Sequence, residues 1–339
     1  MPRRAGPLLV AWALGLLVPA LLRAQDEPPL LTRERRLEVM GSDLQLEVLG
    51  PDVAALDSAL DAAVAEMRRI EDLCTDWRAS PLTTLNEAAG QGPQPVDPEL
   101  LRLIARSLDV SRLTGGAFDV TFASVGKLWD FKRRPPLIPD QATIDAALAH
   151  VGWQKVAIDA ERGTIALPAG TRIGLGGIAQ GYGADRAMAV IMRHGIRHAL
   201  VNVSGDVKAL GRKQGQPWRI AVKHPRDRER VLAVLPISNT CLITSGDYER
   251  FFFHEGKRYH HILDPRTGYP ATGAMSATVL GPEATVVDAL ATALCVLPPA
   301  EGLALIERLP RTEALIVGLD GEVHLTSGLR SGVHGGEGR

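Results

Sequence analysis

Gly174-Leu175-Gly176-Gly177-Ile178-Ala179-Gln180-Gly181-Tyr182 is a glycine-rich turn that leads straight into a helix. The helical pattern runs over residues 179–193 and stops at Gly195, a glycine placed where a helix end wants one. N–H groups exposed at such a helix start suit a phosphate or pyrophosphate. A plain tight turn would use the same glycines, so the segment alone leaves both readings open. Glycines at 174, 176, 177 and 181 do not spell G-x-G-x-x-G, and no dinucleotide-binding strand pattern precedes them. What comes after the helix decides the class. Strand-like runs at 199–203, 218–222, 231–235 and 258–263 dominate the chain beyond it. Strands and helices that mix without strict βαβ alternation predict an α+β fold, not a doubly wound sheet.

On the N-terminal side, residues 40–49 alternate well enough for a strand. Asp52 then caps a helix whose apolar residues fall at Leu56, Leu60, Ala63, Met67 and Ile70. Asp97-Pro98-Glu99 opens a second helix with a cap, an N1 proline and an acid in the first turn, running to about Leu113 and stopping at Gly115-Gly116. Residues 132–139, rich in proline and arginine, predict a surface loop. A hairpin is expected over 155–167 around Glu161-Arg162-Gly163. Helices return at 287–296 and 300–309, and a closing hairpin turns at Asp320-Gly321. No short repeat and no domain linker interrupts residues 25–330, while the Gly-rich residues 331–339 predict a disordered tail.

The first 24 residues read as a signal peptide. Arg3 and Arg4 precede an uncharged apolar run from Ala5 to Leu22, and Ala24 supplies the small residue before a cleavage site. A membrane anchor needs about 20 apolar residues, and Pro7, Gly15 and Pro19 weaken that alternative. Cleavage removes three arginines and no acid, which takes the net charge of −1 to −4. Lys and Arg are balanced by acids and no basic stripe recurs, so nothing indicates a nucleic-acid partner. Cys74, Cys241 and Cys295 are odd in number and widely spaced, which fits buried small residues better than a metal site or a disulfide framework.

Three further segments join the glycine turn as candidate chemistry. Gly115-Gly116-Ala117-Phe118-Asp119-Val120-Thr121 allows close backbone approach to a ligand. Tyr259-His260-His261-Ile262-Leu263-Asp264-Pro265-Arg266-Thr267-Gly268 puts imidazoles at the end of a strand, before a turn. Asp288 and Thr292, at i and i+4 of one helix face, offer a carboxylate and a hydroxyl to a hard cation such as Mg²⁺. The last two also have plainer readings: an edge histidine, and an acid favoured by the helix dipole beside a back-bonded threonine.

Taken in order, these segments resemble the FAD:protein FMN transferase (ApbE-type) family, whose motifs read roughly GGxFD, DLGGIAKGYAxD, HHIxDPxTG and ADALATAL. The likeness extends over about residues 40–319 and includes Leu85-Asn86, Val201-Asn202-Val203-Ser204-Gly205-Asp206 and Thr244-Ser245-Gly246-Asp247. It implies a T-fold-like catalytic domain that moves FMN from FAD onto a Thr or Ser hydroxyl of an acceptor protein, releasing AMP. It implies FAD contacts at Met40, Trp77, Ala117, Phe118, Asp119, Gly174, Gln180 and Leu263, and Mg²⁺ ligation by the Gly177 carbonyl, Asp288 and Thr292. His261 aligns with the histidine that assists the acceptor hydroxyl. The implied acceptor is a membrane electron-transfer subunit, which with the signal peptide places the enzyme in the periplasm.

The chain departs from the family where Gly174 replaces an Asp and Gln180 replaces a Lys, leaving no carboxylate and one fewer cation. The expectation is that Gly174→Asp tightens FAD binding, unless Gly174 sits at φ > 0, where any side chain would strain the turn. Two other functions share the motifs: an FAD pyrophosphatase giving FMN and AMP, and an FAD-binding accessory protein without turnover.

Overall fold

A computed structural model describes residues 30–332. In chain order the elements are β1 (Leu31–Val39), β2 (Ser42–Gly50), α1 (Val53–Cys74), α2 (Pro81–Glu87), β3 (Gln94–Pro95), α3 (Pro98–Leu113), α4 (Ala123–Gly126), α5 (Gln141–Leu148), β4 (Ala157–Asp159), β5 (Thr164–Ala166) and α6 (Ala179–Arg193). The chain continues through β6 (His198–Val203), β7 (Asp206–Leu210), β8 (Trp218–His224), β9 (Asp227–Ile237), β10 (Thr240–Gly246), β11 (Phe251–His254), β12 (Lys257–His260) and β13 (Ser276–Gly281). It ends with α7 (Ala284–Val296), α8 (Pro299–Ile306), β14 (Glu313–Val317), β15 (Val323–Leu325) and α9 (Ser327–Gly332).

The helix starts follow from their caps. Asp52 Oδ1 accepts the Ala54 N–H at 2.9 Å, and Leu56, Leu60, Ala63, Met67 and Ile70 all turn inward on α1. Asp97 Oδ1 accepts the Glu99 N–H at 2.7 Å and opens α3 over the predicted residues. Such caps are worth about 1 kcal/mol each.

Among the described residues, eight strands make one sheet in the order β1-β2-β6-β7-β10-β13-β14-β15, each pair antiparallel. The fold is therefore α+β, as the order of elements predicts. Helices α1, α6 and α7 pack on one face. On the other, the β8–β9 hairpin lays Trp218, Val222, Leu235 and Ile237 over Leu49, Leu200, Val207, Ala209 and Leu242. Strand β6 lies between, with Ala199, Val201 and Val203 facing the helices and Leu200 facing the hairpin.

Several boundaries differ from the expectation. Met40 does not start a strand but sits in the β1–β2 turn with φ of 58°, followed by Gly41 at 64°. The strand expected to reach Leu263 stops at His260, because Leu263 bridges back to Pro270 instead. Ser331 and Gly332 close α9, and residues 333–339 of the expected tail lie outside the described residues. The signal-peptide expectation for residues 1–24 lies outside them too. No helix among the described residues is long and apolar enough to cross a membrane. All three cysteines are buried and free.

Candidate active site

The glycine turn and the Asp288 helix meet. Gly181, two residues into α6, donates its N–H to Asp288 Oδ2 at 2.9 Å. A Cβ at Gly181 would overlap the Ala284 carbonyl oxygen, so only glycine lets α6 and α7 cross this closely. One turn back, a Cβ at Gly177 would lie 3.1 Å from Thr292 Oγ1 and 3.4 Å from a Phe118 ring carbon. The Gly177 turn and the Asp288–Thr292 face, distant in sequence, thus border one spot, with Phe118 alongside. Ser245 Oγ, at the end of β10, stands 3.4 Å from Thr292 Oγ1 and enlarges the set of oxygens. Its only signal in the sequence is the Thr244-Ser245-Gly246-Asp247 run.

These donors suit Mg²⁺. They are a carboxylate, hydroxyls and a backbone carbonyl, the hard oxygen set that ion prefers. Asp288 is only 5% exposed, and among the described residues its second oxygen accepts no hydrogen bond. Burial pushes its carboxyl up, against the pull of the Gly181 N–H. Asp206, at the start of β7, accepts the Thr244 N–H at 3.2 Å, and burial followed by the Asp288 charge pushes its carboxyl well up. Two neighbouring carboxyls, Asp288 buried and Asp206 half-buried, leave room for a cation's charge. The described residues contain no cluster of three or more His, Cys, Asp or Glu. Mg²⁺ commonly takes one or two direct carboxylates and leaves the remaining positions to phosphates and water.

Asp119 does different work from that expected of a ligand contact. Its Oδ1 accepts the Thr121 N–H (2.8 Å) and hydroxyl (2.6 Å), and its Oδ2 accepts the Trp153 N–H at 2.9 Å. Burial raises this carboxyl, and those hydrogen bonds pull it part of the way back. Both oxygens are occupied in shaping the loop that carries Ala117 and Phe118, which are buried at its floor. Asn86 braces the neighbouring stretch: it donates to the Ile173 carbonyl (2.9 Å) and accepts the Ile173 N–H (2.7 Å), just before Gly174.

Gly174 corrects an expectation. Its backbone is not left-handed, so φ does not demand glycine there. Space does. A Cβ would lie 2.9 Å from Ala123 Cβ and 3.2 Å from a Phe122 ring carbon. Gln180 is engaged as well, donating from Nε2 to Ser42 Oγ at 2.7 Å. Met40 buries its sulfur beside Gly183, so the β1–β2 turn is locked onto the start of α6. Trp77, by contrast, is 63% exposed in the loop after α1 and offers an open ring face.

The two histidines divide their roles. His260 is buried, with its Nε2 against the Ala271 carbonyl at 2.9 Å, and burial lowers its pKa. His261 is held by its own N–H donating to the Arg250 carbonyl at 3.0 Å. Burial, then the Arg250 charge and His260, pushes its imidazole down to about 4. Its buried Nδ1 has no hydrogen-bond partner among the described residues. A neutral, unpartnered imidazole can take a proton. Leu263 turns away into an apolar cluster with Val125, Trp129, Ile144 and Phe252.

Comparison with known proteins covers nearly all of this architecture. The model of the ApbE family matches residues 40–316. The chain is similar to the FAD:protein FMN transferase of Treponema pallidum (strain Nichols), 33% identical over 74% of each chain. It is also similar to one from Klebsiella pneumoniae (strain 342), 33% identical over 85% of this chain and 90% of that one. Among solved structures, the ApbE protein of Thermotoga maritima superposes with a TM-score of 0.81 at 33% identity, covering 89% of this chain and 99% of that one. The apo flavinyl transferase ApbE of Pseudomonas stutzeri gives 0.79 at 28% identity, covering 91% and 98%.

Proposed function

The chain belongs to the ApbE family, and from that premise we propose that it is a Mg²⁺-dependent FAD:protein FMN transferase acting on a Ser or Thr hydroxyl of an acceptor protein. The observation that carries the metal-dependent reading is the approach of the glycine turn at Gly177, just before α6, to the Asp288–Thr292 face of α7. The Gly177 carbonyl, Asp288 and Thr292 would hold Mg²⁺, which when bound neutralises charge on the FAD pyrophosphate.

The protein's own groups account for the rest. His261 is neutral at physiological pH because burial and Arg250 disfavour its charged form, so it can accept the proton of the acceptor hydroxyl. The acceptor oxygen bonds to the FMN phosphorus, the bridging P–O bond of the pyrophosphate breaks, and AMP leaves with that electron pair. The exposed Trp77 indole is free to stack on an aromatic ring of FAD. Asp119, Asn86 and Ser42 hold the loops that shape the site.

The test incubates the protein lacking residues 1–24 with FAD, Mg²⁺ and a candidate acceptor, an electron-transfer subunit facing the outside of the membrane, and reads in-gel flavin fluorescence. Fluorescence on the acceptor that needs both FAD and Mg²⁺ supports the transferase; free FMN and AMP with an unlabelled acceptor would replace it by a hydrolase. We further place the protein in the periplasm, on the strength of Arg3, Arg4, the uncharged run to Leu22 and Ala24. N-terminal sequencing of the exported form should begin at about Gln25; a protein retaining Met1 in the membrane fraction would mean an anchor instead.

A further inference from the structure

Helix α7 carries Asp288 and Thr292, yet it lacks a cap of its own. Glu283, the residue before it, makes no capping hydrogen bond and spends its carboxylate on Arg106, at 2.6 Å. The first N–H groups of a helix need acceptors. Here they come from another helix. Asp185, on α6 one turn beyond Gly181, accepts the Ala284 N–H on Oδ1 at 3.1 Å. Its Oδ2 accepts the Thr285 N–H at 2.9 Å and the Thr285 hydroxyl at 2.6 Å. Lys208 of β7 pairs with the same carboxylate and reaches the Pro282 carbonyl at 3.3 Å.

We infer that Asp185 is a positioning residue for the cation site, capping α7 from α6 so that the Gly177 turn and the Asp288–Thr292 face stay in register. The helices clasp each other in both directions. Gly181 of α6 donates to Asp288 of α7, and one turn on, Asp185 of α6 accepts from the first turn of α7. A carboxylate at that end also suits the helix dipole. Without it, α7 is free to slide or fray at the end nearest Asp288, and the two halves of the site lose their common frame. Asp185 touches neither metal nor substrate; it acts through α7.

This inference rests on the Mg²⁺ reading above, and the experiment separates the two. Mn²⁺, a spectroscopic stand-in for Mg²⁺, is titrated into wild type and variants with FAD present, followed by electron paramagnetic resonance. Asp288→Ala should abolish specific binding; if it does not, the metal assignment itself fails. Asp185→Ala should weaken Mn²⁺ binding by about tenfold, the lower end of what supporting partners of metal ligands contribute. Asp185→Asn, whose carboxamide oxygen can still accept from Ala284 or Thr285, should recover most of that loss. In Mg²⁺-dependent turnover the two Asp185 variants should raise the Mg²⁺ concentration for half-maximal rate and leave the rate at saturating Mg²⁺ close to wild type. Should Asp185→Ala not fold, Lys208→Met, which removes the cation paired with Asp185, decides in its place and should bind Mn²⁺ more weakly than wild type. Wild-type affinity in a folded Asp185→Ala, or in Lys208→Met where Asp185→Ala does not fold, overturns the inference while leaving the metal site standing.

Discussion

Asp119 and Asp288 are both buried carboxylates, and their neighbours separate their work. Asp119 has each oxygen taken by the chain, whereas Asp288 accepts one N–H, and among the described residues its other oxygen accepts none. The motifs assign one to FAD and the other to the cation, but they do not show that the chain itself fills both oxygens of Asp119, because that depends on Trp153 arriving from elsewhere. Gly174 shows the same limit. Its place in a glycine-rich turn is legible, but the crowding by Ala123 and Phe122 is not. Gly174→Asp should therefore cost stability, about 1–3 kcal/mol for an overpacked site, and should not tighten FAD. Ala123→Gly in the same chain should return part of the loss, since it removes the nearest atom. Urea midpoints and FAD titrations of the three proteins check this; tighter FAD binding by Gly174→Asp alone would restore the simpler family reading.

His261 yields a pH dependence. Its pKa lies near 4 in the folded chain against about 6.5 when unfolded. Between those values the unfolded chain binds the extra proton, so stability rises with pH across the window. The neutral ring's full contribution is present above about 6.5 and is lost as pH falls toward 4, by at most about 3 kcal/mol. The raised carboxyls of Asp119, Asp206 and Asp288 act with the opposite sign, so the comparison must isolate one group. His261→Gln, which cannot titrate, should lose less stability than wild type between pH 7 and 4. Parallel curves would mean that the imidazole is not held neutral.

At the level of elements, the clear signals were caps and helical spacing. Asp52 and Asp97 placed α1 and α3, and Gly195 closed α6, because each feature is local. Strands β10 and β13 left no alternation to read, since most of their residues on both faces are buried. Strand β1 hid for the reverse reason: it is a charged edge whose Arg33 and Arg35 pair with Asp57 on α1. The crossing of α6 and α7 was invisible for a third reason, that no periodicity links residues a hundred positions apart. It nonetheless makes a sharp prediction. Gly→Ala inside a helix ordinarily gains up to about 1 kcal/mol. Gly181→Ala should instead destabilise by about 1–3 kcal/mol, because the added carbon meets the Ala284 carbonyl, which is backbone and cannot rotate aside. It should also break the Gly181–Asp288 hydrogen bond and weaken Mn²⁺ binding. A stabilised Gly181→Ala, measured by urea unfolding, would mean that the helices sit farther apart.

Across the whole molecule, the site joins two bodies of unequal strength. Gly177, Asp288 and Thr292 rest on the main core, whereas His261 follows β12, which among the described residues pairs only with β11. A two-stranded hairpin is marginal by itself in water. What fixes this one is an aromatic pile: Phe252 stacks on Tyr259 at 5.3 Å, Tyr259 on Trp129 at 5.9 Å, and Trp129 on Phe131 at 6.1 Å. Trp129 also donates its indole N–H to the Gly268 carbonyl at 2.9 Å, which pins the turn beyond His261. Trp129→Leu should thus loosen the hairpin while the main sheet keeps its protection, visible as faster amide hydrogen exchange confined to residues 251–270. Metal binding should survive, because Asp288 and Thr292 lie in the other body. Turnover should fall by up to about 100-fold, the cost of misplacing a reacting group by an ångström or so. Loss of Mn²⁺ binding along with turnover would mean that the two bodies are one cooperative unit. Unchanged exchange in β11 and β12 would mean that the pile is not what holds His261 in place.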